Sequence, residues 1–316
     1  MINIQARGLG HFYGQSQALS DVSFSIEQGT VVGLVGPNGA GKSTTMKILT
    51  GCLVPTLGTA TIGGHDVVHD RLAAQRHLGY LPENAPLYRD MLVQDYLVFM
   101  AKLRSVGAQQ RLNRVAYVVD ACDLRSVLTK PIGHLSKGFR QRVGLAQAMV
   151  HDPAILILDE PTAGLDPNQI LEIRELIRGL GERKTVMLST HILSEVEAIC
   201  SRAIVVVSGR VHADEDLAHI GAINSAVVTF GQAPADVRDR LLALPGITGV
   251  EALPNDGGRP RFRVLGDGKV KILDQVGRLA ADARWTVVEL TPERRDLEDI
   301  FRKLQHRHPA PEGAPA

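Results

Sequence analysis

Residues 30–49 read "TVVGLVGPNGAGKSTTMKIL", and the fold is decided here. "TVVGLVG" (30–36) is a short apolar run with no polar alternation, the pattern of a strand buried on both faces. "GPNGAGKSTT" (36–45) follows, and residues 42–50 carry a helical pattern that stops at Gly51. Gly36, Gly41, Lys42 and Ser43 spell G-x-x-x-x-G-K-[ST], with a further glycine, Gly39, inside the turn. Glycines let the backbone curl, with Pro37 in the turn, until the N–H groups of Gly36, Asn38, Gly39, Ala40 and Gly41 surround phosphate oxygens. The helix that begins near Lys42 adds its positive end through Ser43 and Thr44. Lys42 then reaches the β- and γ-phosphates, and the Ser43 hydroxyl is a ligand for Mg²⁺. By itself the loop specifies a nucleotide triphosphatase and nothing finer.

Outward from the loop, similar apolar runs recur at 154–160 ("AILILDE"), 185–190 ("TVMLST") and 203–209 ("AIVVVSG"). Helical patterns at 137–150, 168–180 and 192–200 separate them. Strand alternating with helix predicts a doubly wound α/β sheet. "INIQARGLGHFYG" and "ALSDVSFSIEQG" alternate polar with apolar and read as an antiparallel edge. Strand patterns vanish from 85 to 134, where "VQDYLVFMAKLRSV" and "RLNRVAYVVDACDL" are helical, so an α-helical subdomain is expected over about 85–150. This first domain spans 1–218. Beyond it, strands and helices in the order βαββαβ, closed by the helix "RDLEDIFRKL", predict a small α+β, ferredoxin-like domain over 225–305. Residues 306–316 read as a disordered tail.

Composition narrows the class of partner. The 316 residues carry 35 basic and 34 acidic side chains, a net charge of +1, which argues against a nucleic-acid or anionic-membrane surface. No apolar run approaches the roughly 18 residues that a membrane span requires. Cys52, Cys122 and Cys200 are scattered, with neither metal-ligand spacing nor a disulfide framework, which fits a reducing cytoplasm.

"ILILDEPTAGLDP" (155–167) ends an apolar strand in two acids. Carboxylates at such a place need a cation or an exposed strand end. Asp159 suits a Mg²⁺ ligand. Glu160, turned aside by the alternation of strand side chains, is placed to polarise an attacking water.

The loop, "HLSKGFRQR" (134–142), "LDE", "GLD" and "STH" (189–191), in this order, resemble an ATP-binding cassette (ABC) ATPase, over about residues 2–215. "GYLPEN", "LSKGFRQRVGLAQA" and "LSTHILSEVEAIC" are similar to the gliding-motility-associated subgroup of bacterial ABC transporter subunits. The resemblance implies ATP and Mg²⁺ as ligands. It assigns Tyr13 to adenine stacking, Lys42, Glu160 and His191 to hydrolysis, and Asp166 to coupling across a dimer. Asp166 could equally cap the helix that starts near Asn168, and Tyr13 and His191 could be packing residues at strand ends. Ser136 and Gly138 open a helix and, by resemblance, face the ATP of an opposite subunit. One copy per chain then implies a homodimer or a related partner cassette, attached to a separate multispanning permease on the inner face of the cell membrane.

Two departures stand out. Lys137 and Phe139 replace residues of the family's commonest signature, and Lys137 could add charge near a γ-phosphate or lie in solvent. Glu83 occupies the place of the usual Mg²⁺-contacting glutamine. Leu87, Tyr88, Met91, Leu92 and Tyr96 are candidates for the permease contact. The competing class is a soluble ABC ATPase that remodels DNA or ribosomes; it usually carries two cassettes or a long coiled coil, and neither pattern occurs here.

Overall fold

A computed structural model describes residues 2–217, 225–232, 236–267 and 270–293. The chain opens with two long strands, β1 (Ile2–Tyr13) and β2 (Ser16–Glu27), paired antiparallel. Their alternation buries Ile4, Ala6 and Leu9 of one against Val22, Phe24 and Ile26 of the other. Next come β3 (Val31–Val35), α1 (Lys42–Leu49), β4 (Leu57–Ile62), β5 (His65–Asp66), α2 (Arg71–Arg76) and β6 (Leu78–Leu81). β4 joins the other edge of β1, giving a four-stranded sheet β2-β1-β4-β5.

Helices follow: α3 (Val93–Leu103), α4 (Ala108–Ala121) and α5 (Lys137–Met149). The chain then alternates through β7 (Ile155–Asp159), α6 (Pro167–Gly181), β8 (Thr185–Thr190), α7 (Leu193–Ile199), β9 (Arg202–Val207) and β10 (Arg210–Asp216). The second sheet has the order β10-β9-β3-β8-β7-β6, with β9, β3, β8, β7 and β6 mutually parallel. Every residue of β3, β7 and β8 is buried, so these strands lack alternation. One apolar core joins the two sheets through Ile4, Leu34, Met46 and Ile157. The parallel order aligns the C-terminal ends of β3, β7 and β8, where each strand turns into its loop.

Two expectations need correction. Tyr96 is 3% exposed and belongs to the interior, because α3 turns it inward with Leu97 and Ala101; it cannot be a contact surface. Glu160 departs from β7 through a left-handed backbone, φ +47°, rather than by strand alternation.

The chain divides into two compact units, the second beginning at Asp216. That unit runs β11 (Ser225–Phe230), α8 (Val237–Leu242), β12 (Ile247–Asp256), β13 (Arg259–Gly266), α9 (Ile272–Asp282) and β14 (Val287–Glu293). Its antiparallel sheet has the order β12-β13-β11-β14 and packs Ala226, Val228, Phe230 and Val264 against Val276 and Ala280. Trp285 meets Phe230 edge-on at 5.5 Å. The expected helix at 295–304 and the tail at 306–316 lie outside the described residues.

Candidate functional site

The turn between β3 and α1 is shaped by what cannot fit there. A methyl group on Gly36 would lie 2.2 Å from the Val206 carbonyl oxygen. At Gly41, φ is +101° and a methyl would meet Leu19 at 2.6 Å. Only glycine combines that backbone with so close an approach. Ala40 N–H donates to Pro37 O at 3.2 Å, closing the curl. Lys42 is buried within it and donates to the carbonyls of Gly36 (2.7 Å) and Pro37 (3.1 Å). Burial pushes its ammonium below the ordinary lysine range, while the Glu160, Asp159 and Glu83 carboxylates pull the other way.

β7 supplies the acids. Asp159 is 2% exposed and accepts hydrogen bonds from Ser189 (2.6 Å) and Ser43 (3.3 Å). Glu160 lies 3.8 Å from the Lys42 ammonium and faces His191, whose Nδ1 is 3.0 and 3.2 Å from its two oxygens. Because a carboxylate only accepts, this contact gives Nδ1 the proton and leaves Nε2 directed elsewhere. The left-handed turn at Glu160 costs roughly 1–3 kcal/mol. Glu160 N–H donates to Ser189 Oγ at 2.9 Å, and Ala163 N–H to Glu160 O at 3.1 Å, which hold the strained residue in place.

Lys42, Ser43, Glu160 and His191 border a cavity of about 520 Å³ also lined by Tyr13, Asn38, Gly39, Gly41, Thr44 and Glu83, together with Ala18 and Ala163. Tyr13 is 50% exposed, and its ring meets that of His11 in a T-shaped contact with centroids 4.7 Å apart. A hydroxyl (Ser43) and two carboxylates (Asp159, Glu83) make an all-oxygen donor set. Among the described residues no cluster of three or more His, Cys, Asp or Glu forms a metal cage. Mg²⁺ suits such a site, because it is held by one or two carboxylates plus substrate phosphates rather than by a protein cage.

Of the expected site residues, Gly36, Pro37, Ala40, Asp159, Ser136, Gly138 and Asp166 do not line this cavity, and Asp159 is joined to it through the Ser43 hydroxyl at 3.3 Å. Ser136 caps α5, accepting from Phe139 N–H at 3.3 Å. Asp166 caps α6, accepting from Gln169 N–H at 3.0 Å. The start of α5 is braced against the segment after Glu160: Gln141 donates to Pro161 O at 3.0 Å, and a methyl on Gly138 would meet the Gln169 amide at 2.5 Å. The exposed Lys137 folds its ammonium over Gly164.

Sequence reasoning missed Ser189, Gln141 and Glu195. Ser189 stands beside "TH" in the quoted motif, so its strand-end position was the available signal. Gln141 and Glu195 carry no signal without tertiary neighbours.

The phosphate turn, the acid pair after an apolar strand and the polarised histidine, on a parallel sheet with a helical insertion, define a P-loop nucleotide triphosphatase of cassette architecture. The ABC transporter family model matches residues 19–163. The ABC transporter ATP-binding protein YdbJ of Bacillus subtilis is 32% identical, with 96% of both chains covered. Nod factor export ATP-binding protein I of Burkholderia orbicola is 35% identical over 76% of this chain and 80% of its own. The chain is 39% identical to an ABC transporter ATP-binding protein of Synechocystis over 65% of its length, and spans 58% of that relative. A cassette solved as a dimer in a post-hydrolysis state with ADP and Pi superposes with a TM-score of 0.63 at 26% identity, over 68% of this chain and 98% of that one. The chain belongs to the family of ABC transporter ATP-binding proteins.

Proposed function

We propose that this chain is the ATP-binding and ATP-hydrolysing subunit of an ABC exporter, of the gliding-motility-associated group. The observation that carries the reading is the convergence of Lys42, Ser43, Glu160 and His191 on one cavity beside an exposed Tyr13. In this reading the adenine stacks on Tyr13, a contact worth about 1–3 kcal/mol. The turn from Gly36 to Thr44 cradles the phosphates, and Lys42 exchanges its carbonyl partners for β/γ-phosphate oxygens. Ser43, Asp159 and Glu83 hold Mg²⁺, which when bound neutralises charge on the phosphates. Glu160 takes a proton from the attacking water while the bond from the γ-phosphorus to the bridging oxygen breaks, giving ADP and phosphate. His191 orients Glu160 and presents its second nitrogen toward the γ-phosphate.

Ser136 and Gly138 then face the nucleotide of a second cassette, and Asp166 couples the two sites. The dimeric post-hydrolysis neighbour and the export named for the Burkholderia relative support this. Among the described residues no helix is long and apolar enough to cross a membrane, so a separate multispanning permease would hold the chain to the cytoplasmic face. Leu87, Tyr88 and Met91, with Phe99, border a depression of about 450 Å³ suited to that contact. We assign residues 1–218 to the cassette and 225–305 to a ferredoxin-like accessory domain with a regulatory or dimer-steadying role.

Glu160→Gln tests the reading. The variant binds Mg-ATP, hydrolyses it at least about 10²-fold more slowly, and recovers a multispanning protein from detergent-solubilised native membranes. Recovery only of soluble ribosomal or DNA-repair proteins would replace the transporter reading with the remodelling class.

A further inference from the structure

One carboxylate near the cavity has no part in that mechanism. Glu195, on α7, is 1% exposed. It accepts hydrogen bonds from two hydroxyls, Thr162 Oγ1 and Thr190 Oγ1, both at 2.8 Å. The Arg174 guanidinium lies 3.8 Å from its other oxygen, Oε1, which accepts no hydrogen bond. A buried carboxylate that is incompletely paired costs several kcal/mol relative to an apolar residue of similar size. The first turn of a helix favours a negative charge, but that benefit requires neither burial nor two threonines.

The two threonines explain the placement. Thr162 lies two residues after Glu160, in the turn that Ala163 N–H closes onto Glu160 O. Thr190 directly precedes His191, and its Oγ1 also accepts from Ile192 N–H at 3.1 Å, bracketing the histidine on both sides. One carboxylate oxygen, Oε2, therefore fastens the loop carrying Glu160 to the loop carrying His191. On the outer side of this clamp the two residues meet at 3.0 Å.

We infer that Glu195 is a positioning residue, a buried clamp that sets the distance between Glu160 and His191. The inference rests on the hydrolytic reading above. Displacing a reacting group by about 1 Å costs on the order of 10²-fold in rate. The clamp touches neither the phosphate turn nor Tyr13, so ground-state nucleotide affinity depends on it far less than turnover does. Glu195→Leu removes the shared acceptor at similar size and so releases the clamp, whereas the amide oxygen of a glutamine, with two lone pairs, could keep both bonds. Thr162→Val and Thr190→Val each remove one donor at constant shape.

The test uses the full chain, measuring steady-state phosphate release, Mg-ATP affinity and thermal unfolding for Glu195→Leu, Thr162→Val, Thr190→Val, His191→Ala and the Glu195→Leu/His191→Ala double variant. We expect Glu195→Leu to lower kcat about 10- to 100-fold with Mg-ATP affinity within about twofold. Each valine variant falls in the same direction, and the double variant is no slower than His191→Ala alone, because both act through one contact. Unchanged kcat in Glu195→Leu and both valine variants overturns the inference. So does a multiplicative loss in the double variant, or a loss of kcat that only parallels a fall in affinity and melting temperature. Glu160→Gln, run alongside, separates the two levels: if it retains turnover, the hydrolytic reading has failed, whereas loss of turnover there with an inert Glu195 removes the clamp alone.

Discussion

Gly138 separates packing from function, because its immediate neighbour is a flexible side chain. It is the second residue of α5, with ordinary helical backbone, and a methyl added there would lie 2.5–2.7 Å from the terminal amide of Gln169. That amide can rotate away at a cost of about 0.5–1.5 kcal/mol. Replacing glycine by alanine in a helix returns about 1 kcal/mol. The two nearly cancel, so Gly138→Ala leaves stability within about 1 kcal/mol, a shift in melting temperature of about 2–4 °C at most for a unit of this size. Its own nucleotide cavity is untouched, and Mg-ATP affinity of the isolated chain stays within about twofold. Turnover is another matter if α5 faces the phosphates of a second cassette. A methyl at that seat displaces a backbone donor, and loss of one such donor costs about 10²–10³-fold. Thermal unfolding, nucleotide titration and phosphate release on one preparation decide the matter. A stable Gly138→Ala protein that hydrolyses ATP at the wild-type rate refutes the trans assignment, and one that unfolds early refutes the packing estimate.

Glu83 places a carboxylate at the cavity where an amide is usual in the family, and its charge acts on Lys42. Glu83→Gln should leave ATP binding intact, raise the Mg²⁺ concentration for half-maximal turnover about three- to tenfold, and change the rate; unchanged Mg²⁺ dependence and turnover would sink the idea. His151 is pushed down to about 4, first by burial and then by the Arg104 charge, against the opposing pull of the Leu78 carbonyl. It is neutral in the folded chain, while the unfolded histidine binds a proton near pH 6.5. Its contribution is complete above pH 6.5 and is lost as pH falls through 6.5 toward 4. After allowance for partial exposure, this amounts to about 1–2 kcal/mol. Urea unfolding at pH 7.5 and pH 5 should therefore show a smaller acid loss for His151→Gln than for the parent; equal losses would exclude His151 as a source.

Several elements were legible because their cause is local. The glycines of residues 36–41 and the lysine after them specify a phosphate turn whatever surrounds them, since φ +101° at Gly41 excludes a side chain. The unalternating runs that became β3, β7 and β8 announce burial on both faces, and the acid pair at the end of β7 announces a cation. Asp166 carried its capping role in residue type and position, whereas the cap that Ser136 makes on α5 was passed over for a nucleotide-facing role. Tyr96 was misread because aromatic residues at helical spacing look alike from either side of a helix, and only the packing of α3 turns this one inward.

What the sequence could not carry is the set of relations between loops. Ser189 grips both Asp159 and Glu160, Gln141 holds Pro161, and Glu195 ties Thr162 to Thr190, each across 5 to 33 positions of chain. Taken alone, the sequence determined that a nucleotide triphosphate is bound and which residue types meet it, because backbone curvature and charge are written locally. The tertiary structure alone decided how Glu160, His191 and Lys42 stand relative to one another. Those distances are set by the order in which parallel strands pair and by buried hydrogen bonds between their ends, and neither exists until the sheet has formed.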